Sequence, residues 1–364
     1  MTHAFRSHRL ATLSAATLTT LLAGTAAHAQ SSNLSMYGLI DLGLEYRTNN
    51  NAAGNSQWRV NSGGINTSRF GFKGQEDLGG GLSAQFNLEG ELSADTGAAD
   101  TALFGRQAWV GVDSKSLGGV ALGRMSTVAY DFIAPHDFMG YAPQYSWVTG
   151  TATVPKASFT SRISNGVRYL GQFGNVRLGL NAGLGEVAGS LNANTSRGIS
   201  IGYDAGPISA QLSLDDGRTA ATETATTSTS NRSWIASGTY SLGTTKLYAG
   251  VRDTKREPVG TISSSNAAFH TTLYWLGASA PVANKVTAFG GVYVENKHGT
   301  PSNPVMLAGK VHYDLSKRTR LYATAAIARA QTEDGVSTRT GVFRDQTPLT
   351  NHQTGIGFGL QHRF

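Results

Sequence analysis

Gly198-Ile199-Ser200-Ile201-Gly202 spells the glycine-flanked serine of a nucleophile elbow, whose chemistry is acyl transfer through a serine exposed on a sharp strand-to-helix turn. The neighbouring residues deny it that turn. Ile199, Ile201 and Tyr203 alternate straight through the motif, which predicts Ser200 in mid-strand. Gly183-Leu184-Gly185-Glu186-Val187-Ala188 loosely echoes a dinucleotide-binding glycine pattern, but no helical stretch follows it. The nine histidines are dispersed without paired ligand spacing for zinc, so no metal site and no cofactor is expected. Acidic loop groups would bind a divalent cation only weakly. The basic residues alternate along the chain and form no clustered stripe with stacking aromatics, which argues against nucleic acid. No catalytic residue and no enzymatic activity are expected.

The elements that position these residues begin after a targeting segment. Arg6 and Arg9 precede an apolar stretch from Leu10 to Ala26 and a small-residue cleavage site at Ala27-His28-Ala29. Residues 1–29 therefore read as a cleaved signal peptide, and residues 30–364 as one domain. An uncleaved anchor fits less well, because Thr and Ser interrupt a stretch that is short for a spanning helix. The mature part holds 28 basic and 23 acidic side chains, a net charge of +5. No other stretch reaches the roughly 18 to 20 apolar residues that a spanning helix needs, which leaves a closed barrel as the route across a membrane. Cysteine is absent, so an exported fold of this kind relies on burial and hydrogen bonding. Glycine, 45 of 364 residues, is well above the usual ~7%, and this opposes long helices.

Period-two runs recur along the chain. Val176, Leu178, Leu180, Ala182 and Leu184 share one strand face, with Asn175, Arg177 and Asn181 on the other. Ile208, Ala210, Leu212 and Leu214 repeat the pattern against Ser209, Gln211, Ser213 and Asp215, as do Val305, Leu307, Val311 and Tyr313 against Lys310, His312 and Asp314. Each run is about the ten residues a tilted strand needs to cross a bilayer. Tight connections fall at 77–81, 114–119, 174–175, 205–207, 242–244, 281–284 and 314–319. Long polar connections fall at 48–64, 93–103, 127–161, 187–196, 218–231, 256–268, 297–304 and 331–351. Seven turns and eight loops join sixteen strands, predicting an all-β transmembrane antiparallel barrel with long extracellular loops and short periplasmic turns. A soluble sandwich or lipocalin-like barrel would also alternate. Charges recur on too many polar faces for a solvated exterior, and the strand count exceeds what a side-chain-filled barrel accepts.

The chain ends Gly-Ile-Gly-Phe-Gly-Leu-Gln-His-Arg-Phe, with Ile356, Phe358, Leu360 and Phe364 on one face. A terminal aromatic residue on an alternating strand resembles the signal read by the outer-membrane assembly machinery. Together with Leu34 to Asp41, Ser68 to Leu82, Leu103 to Gly111, Leu122 to Arg124, Tyr130-Asp131 and Ser316 to Tyr322, it resembles the trimeric general porins of Gram-negative bacteria, in particular the betaproteobacterial and neisserial type. That resemblance implies a sixteen-stranded homotrimeric barrel in the outer membrane, narrowed where the third long loop folds into the lumen.

With Phe70 and Phe72 facing lipid, Arg69, Lys73 and Gln75 point into the lumen, and Arg106 points inward if Trp109 faces out. In similar porins wall arginines on the second, fourth and sixth strands face acidic groups on the inserted loop. The matching positions are Arg69, Arg106 and Arg162, opposite Asp131 and Asp137. Lys73, Arg168, Arg177, Lys246, Arg252 and Lys310 are further expected lumen residues, and with them basic groups outnumber acidic ones. Opposed charges across a narrow aqueous gap order water and polar solutes without binding them tightly. The expected function is general diffusion of ions and small hydrophilic solutes, with weak anion preference. The basic excess at the extracellular rim suits outer-leaflet lipid and lipopolysaccharide phosphates equally. A substrate-specific channel would require more lumen aromatics than Phe289 and Tyr293, and a membrane-embedded hydrolase or an adhesin fits less well still.

Overall fold

A computed structural model describes residues 33–100, 102–150, 160–219, 227–260, 268–300, 303–330, 332–333, 336–337, 340–342 and 350–364. The targeting segment lies outside them. Sixteen strands form the wall: β1 (Asn33–Arg47), β2 in two pieces (Gln57–Ser62 and Arg69–Gly79), β3 (Leu82–Ser93), β4 (Gln107–Ser114), β5 (Gly118–Ser126), β6 (Arg162–Phe173), β7 (Val176–Gly183) and β8 (Ser196–Ala205). The second half is β9 (Ile208–Thr219), β10 (Thr227–Leu242), β11 (Thr245–Gly260), β12 (Phe269–Ala283), β13 (Val286–Lys297), β14 (Val305–Asp314), β15 (Thr319–Arg329) and β16 (His352–Arg363). Neighbours in the chain pair antiparallel, and β16 also pairs with β1, from Leu39 opposite Arg363 to Arg47 opposite Gly355. The barrel is closed and presents no free edge.

All seven tight connections fall where expected, between successive strands. The outward faces carry the apolar members of each alternation: Val176, Leu180, Leu212, Leu214, Leu307 and Val311 are exposed, while Asn181, Gln211, Ser213, Asp215, Lys310 and His312 are buried. In a soluble protein this would be inside out. In a membrane barrel it is the lowest-energy arrangement, because lipid meets the apolar face and water the polar one. Outward-facing Phe364 closes the ladder, exchanging backbone hydrogen bonds of 3.1 Å with Gly38. Its ring lies where a β-carbon on Gly38 would sit, 2.1 Å from Cζ.

Two features depart from the sequence reading. The connection at 48–64 contains a strand piece, Gln57–Ser62, that pairs with the upper half of β1 and turns Trp58 and Val60 outward. Between the two pieces of β2 the chain leaves the wall at residues 63–68. There the buried Asp41 carboxylate accepts from the backbone amides of Gly64 (3.0 Å), Ile65 (3.3 Å) and Asn66 (2.9 Å), from Tyr322 Oη (2.6 Å) and from Gln361 Nε2 (3.1 Å). These contacts replace the ladder bonds the break gives up. Trp109, the second departure, faces the lumen: it pairs with lumenal Asn87, donates to Gln107 Oε1 at 2.8 Å and packs on Ala121, Met125 and Ile163. Arg106 is nonetheless inward, because it precedes the first residue of β4 and is not bound by that strand's alternation.

Among the described residues no helix is long and apolar enough to cross a membrane. The one α-helix among the described residues, α1 (Val128–Ile133), belongs to the connection at 127–161. Thr127 caps it, its hydroxyl accepting from the Tyr130 amide at 3.2 Å.

Candidate functional site

The segment from Thr127 to Gly150 lies inside the barrel, attached to lumen faces on nearly every side. The Val128 amide donates to Asn181 Oδ1 on β7 at 2.8 Å. His136 reaches Ser209 Oγ at 2.8 Å and Ser237 Oγ at 3.0 Å on β9 and β10, while Trp275 on β12 donates to the His136 carbonyl at 2.9 Å. Phe138 stacks on Tyr293 with ring centroids 4.8 Å apart. Tyr145 Oη donates to Glu45 Oε1 on β1 at 3.2 Å, and Trp147 Nε1 to the Gly341 carbonyl at 3.1 Å. The loop thus crosses the lumen and narrows it.

Wall glycines make this docking possible. A β-carbon on Gly277 would lie 2.5 Å from Phe138, one on Gly179 2.9 Å from Val128, and one on Gly355 2.4 Å from Tyr145. Gly277→Val is expected to lift Phe138 from the wall at a cost of about 1–3 kcal/mol, the usual penalty of overpacking. The lumen would then fluctuate, read as increased open-channel noise in bilayer recordings, while unchanged noise would contradict the wedge.

The open side of the constriction is a cavity of about 590 Å³, lined by Arg59, Arg106, Arg162, Glu91, Asp95, Asp100 and Tyr130 among others, with Pro143 and Thr149 of the loop opposite. Arg106 is the centre of its charge pattern: Nε lies 2.6 Å from Glu89 Oε1, and Nη1 3.0 Å from Glu91 Oε2. Arg162 Nε donates to the Arg106 carbonyl at 3.0 Å, and its guanidinium lies 6.0 Å from the Tyr130 ring centroid. Arg59 Nε meets Glu45 Oε2 at 2.5 Å. Arg69 faces the lumen beside them, held by a 3.0 Å bond to the Thr67 carbonyl, and is not among the cavity's lining residues.

The expected acidic partners are arranged differently. Asp131 on α1 forms the ion pair between loop and wall, but with Arg168 on β6 at 2.9 Å and not with the β2 and β4 arginines. Asp137 does not line the cavity at all. It is buried, accepting from Tyr293 Oη (2.5 Å), Ser146 Oγ (2.7 Å) and the amides of Tyr141 (2.8 Å) and Met139 (3.1 Å). Its carboxylate fastens the loop to itself and to β13. The acids that meet Arg106 are Glu89 and Glu91, on the neighbouring strand of the same wall.

The other lumen cations divide into two groups. Arg252 donates to the carbonyls of Val148 and, at 2.6 Å, Gly150, and Lys310 donates to the Met139 carbonyl at 2.5 Å, so both serve as loop anchors. Arg177 meets Asp204 at 2.5 Å and lies 4.7 Å from the Phe132 ring centroid, while Lys73 and Lys246 lie over Tyr37 and Tyr248. Burial, reinforced by Arg177 and Lys246, pushes His136 down to about 4, so it adds no positive charge to the lumen near neutral pH. Ser200 is in mid-strand on β8, its hydroxyl 2.6 Å from Ser213 Oγ, with no elbow turn around it.

The family model described as Gram-negative porin matches residues 12–333. This chain belongs to the Gram-negative porin family. The porin is 33% identical to outer membrane porin protein 32 of Delftia acidovorans, over 95% of this chain and 98% of that one. An outer membrane porin protein of Bordetella pertussis is 30% identical over 94% of this chain and 98% of its own. Among solved structures, the anion-selective porin from Comamonas acidovorans superposes with a TM-score of 0.77 at 26% identity, covering 92% of this porin and all of that chain. The porin is an outer-membrane channel for passive diffusion of ions and small hydrophilic solutes.

Arg59, Glu45, Glu89 and Glu91 are site residues that the sequence reading left out. Arg59 was masked by the Asn- and Gly-rich stretches around it. Glu89 and Glu91 carried a readable signal, since they alternate with Leu88 and Leu92 on β3.

Proposed function

We propose that this porin selects weakly for anions at the arginine wall formed by Arg59, Arg69, Arg106 and Arg162, and that it works as a homotrimer. The observation that carries the selectivity is the burial of Asp137 within the loop. With that carboxylate withdrawn, three arginines on the cavity rim face loop residues Pro143 and Thr149, while the acids Glu91, Asp95 and Asp100 also line the cavity and offset them, so the preference for anions is a weak one. The similar porin from Comamonas acidovorans is described as anion-selective, which supports the reading.

Support for the trimer comes from the outer wall. Strands β6, β8, β10, β12 and β14 carry Tyr169, Tyr203, Tyr240, Tyr274 and Tyr313 on outward faces, the amphipathic girdle of a lipid-facing surface. Among the described residues β2 to β5 carry no tyrosine; apart from Trp58 at the loop end of β2, they present Phe70, Phe72, Phe86, Val110 and Leu122. A face without interfacial tyrosines suits burial against another copy.

Bilayer recordings test both statements. In a salt gradient the zero-current potential is expected on the anion-selective side, with closure in three equal steps. A cation-selective potential overturns the selectivity, and closure in one step overturns the trimer.

A further inference from the structure

The geometry points to a divalent transition-metal site on the outer wall of the barrel, built from Asp253, His270 and His298. These residues are 17 and 28 positions apart in the chain, so no linear spacing announces them. The strand register assembles them: Asp253 on β11 lies opposite Thr272 on β12, and the His298 amide donates to the His270 carbonyl at 3.0 Å. Asp253 is level with outward-facing Trp234 on β10 and borders the same outer cleft, which places the cluster on the external surface toward the long-loop end.

Three ligand atoms converge there. His270 Nε2 lies 2.8 Å from Asp253 Oδ2, Thr272 Oγ1 lies 2.7 Å from the same oxygen, and His298 Nε2 lies 2.8 Å from Thr272 Oγ1. All three potential ligand atoms fall within 4.8 Å of one another, and the imidazoles stack at 3.8 Å. A tetrahedral zinc ion with bonds of about 2.0–2.1 Å needs ligands about 3.3 Å apart. Rotation of the exposed His298 side chain supplies the contraction required.

Without metal, the network closes with each imidazole protonated on Nε2: His270 donates to Asp253, and His298 donates to Thr272 Oγ1, which donates to Asp253 in turn. A metal would take the place of these bridging protons: each imidazole then carries its proton on Nδ1 and offers the Nε2 lone pair, and Asp253 neutralises one of the two positive charges of the ion. Two imidazole nitrogens and one carboxylate oxygen select Zn²⁺, Cu²⁺, Ni²⁺ or Co²⁺ over Ca²⁺ and Mg²⁺. The fourth position faces outward, open to water or an anionic group. The adjacent Lys255 is neutralised by Glu257 at 2.7 Å.

Calorimetric titration of Zn²⁺ into chelator-treated, untagged protein in detergent is the test. One ion per chain is expected, with affinity reduced at least about tenfold in H270A, H298A and D253N. Because the cluster lies outside the lumen, the variants should conduct like the parent, which verifies folding separately from binding. Absence of stoichiometric binding, or undiminished binding by the H270A/H298A double variant, overturns the site. If a variant fails to conduct, Cu²⁺ electron paramagnetic resonance of the parent decides, since coupling to fewer than two imidazole nitrogens also overturns it.

Discussion

Asp137→Ala is expected to release the centre of the inserted loop and convert a quiet channel into a noisy one of higher mean conductance. The carboxylate serves four donors, two hydroxyls and two backbone amides, all buried. Alanine removes every acceptor at once and leaves the donors behind. A buried donor without a partner costs about 1–3 kcal/mol, and with local relaxation and water entry a loosening of about 3–5 kcal/mol is reasonable for the group. That is a factor of about 150 to 4,000 in the docked-to-undocked ratio. The barrel should not melt with it, because the ladder is untouched and Arg252 and Trp275 still hold the loop on either side. The expected pattern is therefore loop-specific: faster proteolysis between residues 137 and 150, larger current fluctuations, and a thermal transition close to that of the parent. A variant as quiet and protease-resistant as the parent would show that Asp137 does not fasten the loop.

The barrel was legible in the sequence because its main constraint is periodic. Lipid on one side and water on the other force a two-residue repeat on every strand, and Val176 to Ala182 or Ile208 to Asp215 display it without knowledge of their neighbours. The seven turns were legible for a related reason, since short connections between such runs concentrate Gly, Asn, Asp and Pro.

What failed was whatever depends on where the repeat breaks. Which way Trp109 faces was left as a condition, and it is decided by pairing with Asn87 on the neighbouring strand. Arg106 escapes the alternation by lying one residue before its strand. The break in β2 is fixed by the distant residues Asp41, Tyr322 and Gln361, contacts that span as many as 320 positions in the chain. The charge census also overcounted mobile lumen cations. Arg252 and Lys310 lie on lumen-facing positions, yet both donate to loop carbonyls. A strand pattern says which face a side chain occupies, but not whether another segment will cover it. The Asp253, His270 and His298 cluster was invisible for the same reason: its spacing exists only across two strands and the connection that follows a third.

Arg106→Ala is expected to move the channel's selectivity toward cations by the largest single step available in the wall. Glu89 and Glu91 both lean on this guanidinium, at 2.6 and 3.0 Å. Removing it shifts the charge at the constriction by one unit toward negative, and Glu89 keeps only Tyr37 Oη, at 2.9 Å, as a donor. At about 5 Å from a permeating ion in water, one unit charge contributes roughly 0.8 kcal/mol. That is about a fourfold change in the local population of each ion, in opposite senses for anions and cations, before screening reduces it. The shift should therefore be large at low salt and fade as the Debye length contracts. Glu91→Gln should move the potential the other way, and the double variant should fall between the two singles, because the charges act through one field at one constriction. Equal zero-current potentials for the parent and Arg106→Ala at low salt would remove Arg106 from the selectivity wall.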